Sequence, residues 1–184
     1  MQRSILGVLL ASLLWWEACA VPAWVNTAEQ DAEVAVPIAA SLVDIVDPGL
    51  AAVVTLVENG FNALVKTLDT YKALPTASNL QAVQAAFTAV EANEQQLASA
   101  AQVKDPASQA TVAQVVQLLS QAVTEISALV PPGTAATYSG SRIPNSGAPA
   151  APAQKVKHWK AKDFKKQFNR IIKGDPQFAG KELK

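Results

Sequence analysis

The apolar positions of this chain fall into long helical seams. After Asp47-Pro48 they recur at Val54, Val57, Phe61, Leu64, Leu68 and Tyr71, a 3-4-3-4-3 spacing that keeps them on one stripe of a helix ending near Leu74. A second run follows the breaker Leu74-Pro75: Leu80, Val83, Phe87, Val90, Leu97 and Ala101, with Glu94 standing where the seam calls for an apolar residue. Ser78 and Gln81 are in capping-box register at its start. A third run, Val112, Val116, Leu119, Val123, Ile126 and Val130, follows Asp105-Pro106 and stops at Pro131-Pro132-Gly133. Asp-Pro is a good helix start, because the carboxylate caps free amides and proline at the first position gives up an N–H that has no partner anyway. Three helices of about 25 residues joined by connections of roughly three to five fold back antiparallel.

Upstream, Thr27 to Val46 reads as a fourth helix, with Thr27 as cap and Glu29, Asp31 and Glu33 favourably placed against the helix dipole. Pro37 predicts a kink, or a helix that starts there. From Val34 to Val57 the chain is apolar almost all round, which suits a buried central helix pair or, alternatively, a membrane-inserting hairpin. Asp44 interrupts this stretch and would need a partner from a neighbouring helix if buried.

No stretch alternates with period two for long enough to argue a sheet. The fold class expected is therefore all-α: a three- to four-helix antiparallel bundle, a disordered Pro/Ala-rich tether and a short C-terminal amphipathic helix. Half of the residues are apolar but few are aromatic, and Ala, Val, Gln and Leu dominate the seams, a composition suited to closely approaching helices. The expected parts are a leader at 1–20, a bundle at 21–130, a linker at 131–154 and a basic tail at 155–184.

The leader has one cation, Arg3, an apolar run from Ile5 to Trp16, and then Glu17-Ala18-Cys19-Ala20. That order reads as an export signal, and the run is short for a spanning helix, which needs about 20 apolar residues. Ala18-Cys19-Ala20 fits cleavage after Ala20. The lone cysteine after the apolar run also resembles a bacterial lipoprotein signal, which implies cleavage after Ala18, acylation of Cys19 and a lipid anchor. Glu17 and Trp16 depart from the residues usual before such a cysteine. An uncleaved anchor is the third topology. One cysteine forms no intramolecular disulfide, so packing must supply the stability.

Charge divides the chain. From Val21 to Ala135 eleven acidic residues face three lysines, and after Ala136 eleven basic residues face three acidic ones. The two parts are separated by PPGTAATYSGSRIPNSGAPAAPAQ, a stretch too poor in apolar bulk to fold alone. Its 24 residues reach on the order of 70 Å when extended. Beyond it, a helix starting near Asp163 and ending at Gly174 would gather Phe164, Phe168, Ile171 and Ile172 on one face. Lys155, Lys157, Trp159, Lys160, Lys162, Phe164, Lys165, Lys166, Phe168, Arg170 and Lys173 form the candidate set for an anionic surface, with the aromatics as interfacial anchors. So short a helix is marginal alone and must fold against something. The choices are its own acidic bundle, a membrane, or an anionic envelope polymer; nucleic acid is disfavoured by the absence of any groove-reading motif. The seams would also accept a partner helix or a second copy.

Catalytic chemistry finds no footing. His158 is the only histidine and lacks a thiol or histidine partner for a zinc set or a nucleophilic pair. Asp44 with Asp47 and Glu91 with Glu94 are spaced to hold a hard cation or do acid/base work, but caps and solvated faces account for such pairs more often. No phosphate-binding glycine loop, GxSxG or HExxH pattern occurs, and no cofactor or metal is expected. The sequence thus reads as a non-enzymatic, exported, envelope-associated helical binding or structural protein, of bacterial or phage type, either lipid-anchored or secreted. The alternative is a lysis or pore-forming protein that inserts 34–57.

Overall fold

A computed structural model describes residues 21–100, 106–131 and 159–184. Among the described residues the protein is all-α and contains no strand. Helix α1 spans Ala23–Ala40, α2 Pro48–Ala73, α3 Ala77–Ala100, α4 Gln109–Leu129 and α5 Ala161–Ile172, with 3-10 turns at Pro106–Ser108 and Pro176–Phe178. The expected leader, Cys19, the Asp105 cap and nearly all of the linker lie outside the described residues.

The three seams are in the core. Val54, Val57, Phe61, Leu64 and Leu68 of α2, Val83, Phe87, Val90 and Leu97 of α3, and all six predicted positions from Val112 to Val130 are buried; Tyr71 and Leu80 are half-buried. α4 buries more than its seam, adding Val115, Leu118 and Ala122, because it packs against α1, α3 and α5 together. Asp47 precedes α2 with Pro48 at the first position, and its carbonyl accepts from the Leu50 and Ala51 amides at 2.8 and 3.0 Å. Its side chain makes no cap bond, so only the backbone half of the expected signal operates.

Two start signals are displaced. α3 begins after Thr76, whose hydroxyl accepts the Asn79 amide at 3.2 Å, so Thr76 and not Ser78 holds the first turn. The cause is Pro75, which favours an extended entry and leaves the next hydroxyl facing the free amides. α1 begins at Ala23, four positions before the expected Thr27 cap, and Thr27 lies inside it, its hydroxyl donating back to the Ala23 carbonyl at 3.4 Å. Burial of Val25 and Ala28 draws this extra turn into the helix. α1 then runs through Pro37 and stops three residues later, short of the expected Val46. Proline cannot donate to the Glu33 carbonyl, and the chain tightens beyond it into turns closed by Leu42 to Ala39 and Ile45 to Leu42 amide bonds, each 3.0 Å.

Neighbouring ends are identified by specific contacts. Trp24 at the start of α1 stacks on Tyr71 near the end of α2 at 5.8 Å, and Lys72 bonds Glu29 at 2.7 Å. That hydrogen bond holds the Lys72 ammonium above the usual lysine range. Asn93 of α3 donates to the Leu56 carbonyl of α2 at 3.2 Å, and Gln84 near the start of α3 donates to the carbonyl of Pro131, just past α4, at 2.7 Å. α2 and α3 approach closely at Gly60, where an added Cβ would sit 3.1 Å from Val90 Cγ2. Gly60→Ala should therefore forfeit most of the roughly 1 kcal/mol that alanine normally gains over glycine inside a helix. In a Val90→Ala background the same change should recover that gain, and a urea double-mutant cycle showing no coupling would refute the close-contact explanation.

Helix α2 and the segment Pro106–Leu129 are long and apolar enough to cross a bilayer, a property shared by core helices of water-soluble proteins. In the stretch from 34 to 57, Val34, Ile38, Leu42, Ile45, Leu50 and Val54 are all buried, and Asp44 points outward from the turn between α1 and α2.

Candidate functional site

The basic tail is built around α5. Its first turn is fixed by Asp163, whose carboxylate accepts the Lys160 amide at 3.1 Å and faces the positive end of the helix dipole. Its end is set by Gly174 at φ +91°, a conformation that side chains other than glycine rarely tolerate. The helix covers the span expected from the phenylalanine spacing, with one extra half-turn at its start.

α5 packs on α4 and α1. Phe164, Phe168 and Ile172 are buried there, joined by Phe178, which meets Phe168 edge-on at 6.5 Å. Trp159 is half-buried and tilts against Phe164 at 5.5 Å. Three polar clasps hold the residues beyond α5. The Ser108 hydroxyl before α4 donates to Asp175 at 3.0 Å, Lys181 pairs with Asp44 at 3.1 Å, and Asn169 exchanges two 2.8 Å bonds with Leu183, folding the last residues back along α5. Despite the opposite net charges of the two parts of the chain, the described contact between them is mainly apolar, with Asp44 and Lys181 as an ion pair at its exposed edge. Such exposed pairs contribute about 0–1 kcal/mol, so the phenylalanines dominate the docking.

The cations of the candidate set face outward. Lys160, Lys162, Lys166, Arg170 and Lys173 are exposed and Lys165 is half-buried, donating to the Lys184 carbonyl at 3.0 Å. Phe164 and Phe168 are core residues in this arrangement, which leaves the cations and the half-buried Trp159 as the described members of the candidate set that reach the surface. Lys155 and Lys157 lie outside the described residues. Along the outer face runs a shallow depression of about 370 Å³ lined by Trp159, Asp163, Lys166, Gln167 and Arg170, with Arg170 bonded to Gln167 at 3.3 Å. Lys166 and Arg170 stand one turn apart there, a spacing suited to a phosphate or carboxylate.

Phe178 and its turn were not anticipated from the sequence. The available signal was Asp175-Pro176, a repeat of the Asp-Pro start seen before α2; Asp175 accepts the Gln177 amide at 3.0 Å. The two carboxylate pairs do not form a common site. Glu94 is buried and accepts the Ser120 hydroxyl, whereas Glu91 is half-buried, which raises its carboxyl above the usual range. Among the described residues no group of three His, Cys, Asp or Glu side chains is placed to hold a metal ion.

No known protein family, curated protein or solved structure matches this chain.

Proposed function

We propose that this is a non-enzymatic, exported, envelope-associated helical protein that presents the cationic face of its C-terminal helix to an anionic surface. In this reading α1 to α4 form an antiparallel four-helix bundle. The pairing of the start of α1 with the end of α2, of Asn93 with Leu56, and of Gln84 with Pro131 supports that arrangement. α5 is then an arm folded onto the α1 and α4 surface.

The observation that carries the proposal is the division of labour on α5: phenylalanines inward, lysines and Arg170 outward. Apolar contact is satisfied within the chain, which leaves the charged face free for long-range attraction. Burial of Val34, Ile38, Leu42, Ile45, Leu50 and Val54 favours the bundle over insertion of that stretch.

The test is co-sedimentation of the full chain with vesicles of equal parts phosphatidylcholine and phosphatidylglycerol. The variant Lys162→Glu/Lys166→Glu/Arg170→Glu/Lys173→Glu should bind at least tenfold more weakly, since each cation near an anionic surface contributes about 1 kcal/mol. Added salt should weaken the parent chain in the same way. Unchanged binding by the variant would remove α5 from the function.

A further inference from the structure

We infer that the end of the bundle formed by Val21, Trp24, Tyr71, Leu74 and Pro75 rests on the surface of a lipid bilayer. The inference rests on the envelope-association reading but not on the cationic arm, which is a separate surface.

Charge is distributed along the bundle axis in a way that net charge hides. The start of α1, the end of α2, the start of α3 and the end of α4 meet at one end, as Trp24 on Tyr71 and Gln84 on Pro131 record. The chain there is uncharged throughout 21–28, 73–90 and 126–131. The ions nearest this end are Glu29 and Lys72, which pair at 2.7 Å, Asp69, whose carboxylate lies 4.0 Å from the same ammonium, and Glu125, which is buried one turn before the end of α4. The opposite end carries Asp44, Asp47, Asp175 and Lys181.

The uncharged end also carries exposed apolar and amphipathic side chains. Leu74, in the α2 to α3 connection, is 60% exposed, the larger of two such exposures among the described large apolar residues. Tyr71 precedes it by three residues and stacks on Trp24; both rings are half-buried and of the kind that settle at the level of lipid headgroups. A headgroup layer accepts the rings and the leucine together with uncharged polar groups such as Asn26, Thr76 and Ser78. The chain supplies the direction as well. In two of the three leader topologies, an uncleaved Ile5 to Trp16 run or an acylated Cys19, the lipid contact lies only a few residues before Val21 and holds this same end close to the bilayer. The cationic arm, by contrast, is clasped at Ser108 and Asp44, towards the opposite end.

Cys19 is the chain's only cysteine, which permits single-probe variants in a Cys19→Ser background. Leu74→Cys, Gly49→Cys and Lys166→Cys place an environment-sensitive fluorophore at the uncharged end, the opposite end and the cationic face; all three positions are exposed. With the full chain on pure phosphatidylcholine vesicles, the probe at 74 should shift to the blue and brighten several-fold while that at 49 remains aqueous. Leu74→Glu should reduce vesicle binding without changing the circular dichroism spectrum. A silent probe at 74 on vesicle-bound protein, or absence of binding, overturns the inference. A response at 166 alone, on anionic vesicles, overturns it and leaves the cationic arm standing; a response at 74 alone does the reverse. A blue shift at 74 that needs no vesicles and grows with protein concentration assigns the end to a second copy of the chain and also overturns it.

Discussion

Replacing Phe168 with alanine is expected to detach α5 and to remove up to about 3–5 kcal/mol of stabilisation, the range for truncating a buried phenylalanine. Phe168 is fully buried, lies between Phe164 and Ile172 on the docking face and is met edge-on by Phe178. A twelve-residue helix is marginal in water, so α5 owes its helicity to the surface it covers. Docking and helix formation are consequently one event, and losing one loses the other. The clasps at Asp175 and Lys181 do not compensate, because each is a single polar contact competing with water.

The free energy of docking sets a ceiling on this effect. Once the arm is released, further damage to its apolar face has no consequence for α1 to α4, so Phe164→Ala added to Phe168→Ala should cost far less than either alone. Trypsin provides the readout, since α5 offers it Lys162, Lys165, Lys166 and Arg170. Cleavage at those sites should be slow in the parent chain and fast in Phe168→Ala, while cuts in the 132–158 segment report nothing about docking. Lys166→Ala, at an exposed position, should leave both stability and the protected sites within about 0.5 kcal/mol of the parent. Equal cleavage within α5 in parent and Phe168→Ala would show that the docked arm is not a stable part of the protein.

The success of the sequence reading at the seams and its misses at the ends have the same origin. Seam positions are dictated by a repeat that any buried helix must satisfy, so Phe61, Phe87 and Leu119 were legible from spacing alone. Caps are settled by competition between local hydrogen bonds and tertiary burial, and at α1 the burial of Val25 prevailed over the hydroxyl of Thr27. α5 itself was legible as an amphipathic helix; which surface it chose was not. The charge division pointed towards an electrostatic contact, yet the contact is made by phenylalanines on α4 and α1. The extra buried residues of α4, Val115, Leu118 and Ala122, were present in the sequence as apolar positions off the seam, a sign of a second covered face. Asp44, which interrupted the apolar stretch, proved to be a turn residue serving Lys181.

Ser120→Ala is expected to destabilise the protein by about 1.5–3 kcal/mol, more than the loss of an ordinary hydroxyl, because its hydroxyl serves a buried charged acceptor. Glu94 holds the seam position between Val90 and Leu97, is only 6% exposed, and accepts the Ser120 hydroxyl from α4. Alanine at 120 leaves that carboxylate buried with its α4 partner removed. The opposite change should have the opposite sign. Glu94→Leu restores the apolar seam, and Ser120 keeps a bond to the Val116 carbonyl at 3.2 Å, so the single variant should be neutral or more stable. In the Glu94→Leu background Ser120→Ala should then cost little, giving a coupling of at least about 1 kcal/mol in a urea cycle. Additive effects would mean that the pair contributes nothing as a pair. If the coupling is found together with a stabilised Glu94→Leu, stability is not what the glutamate provides. A polar position inside an otherwise apolar seam fixes how two helices align, since sliding α3 along α4 by one turn would leave the carboxylate facing apolar side chains instead of Ser120. Seams as uniform in Ala, Val and Leu as these permit such slips, and Glu94 with Ser120, together with Gln84 on the Pro131 carbonyl, penalises them.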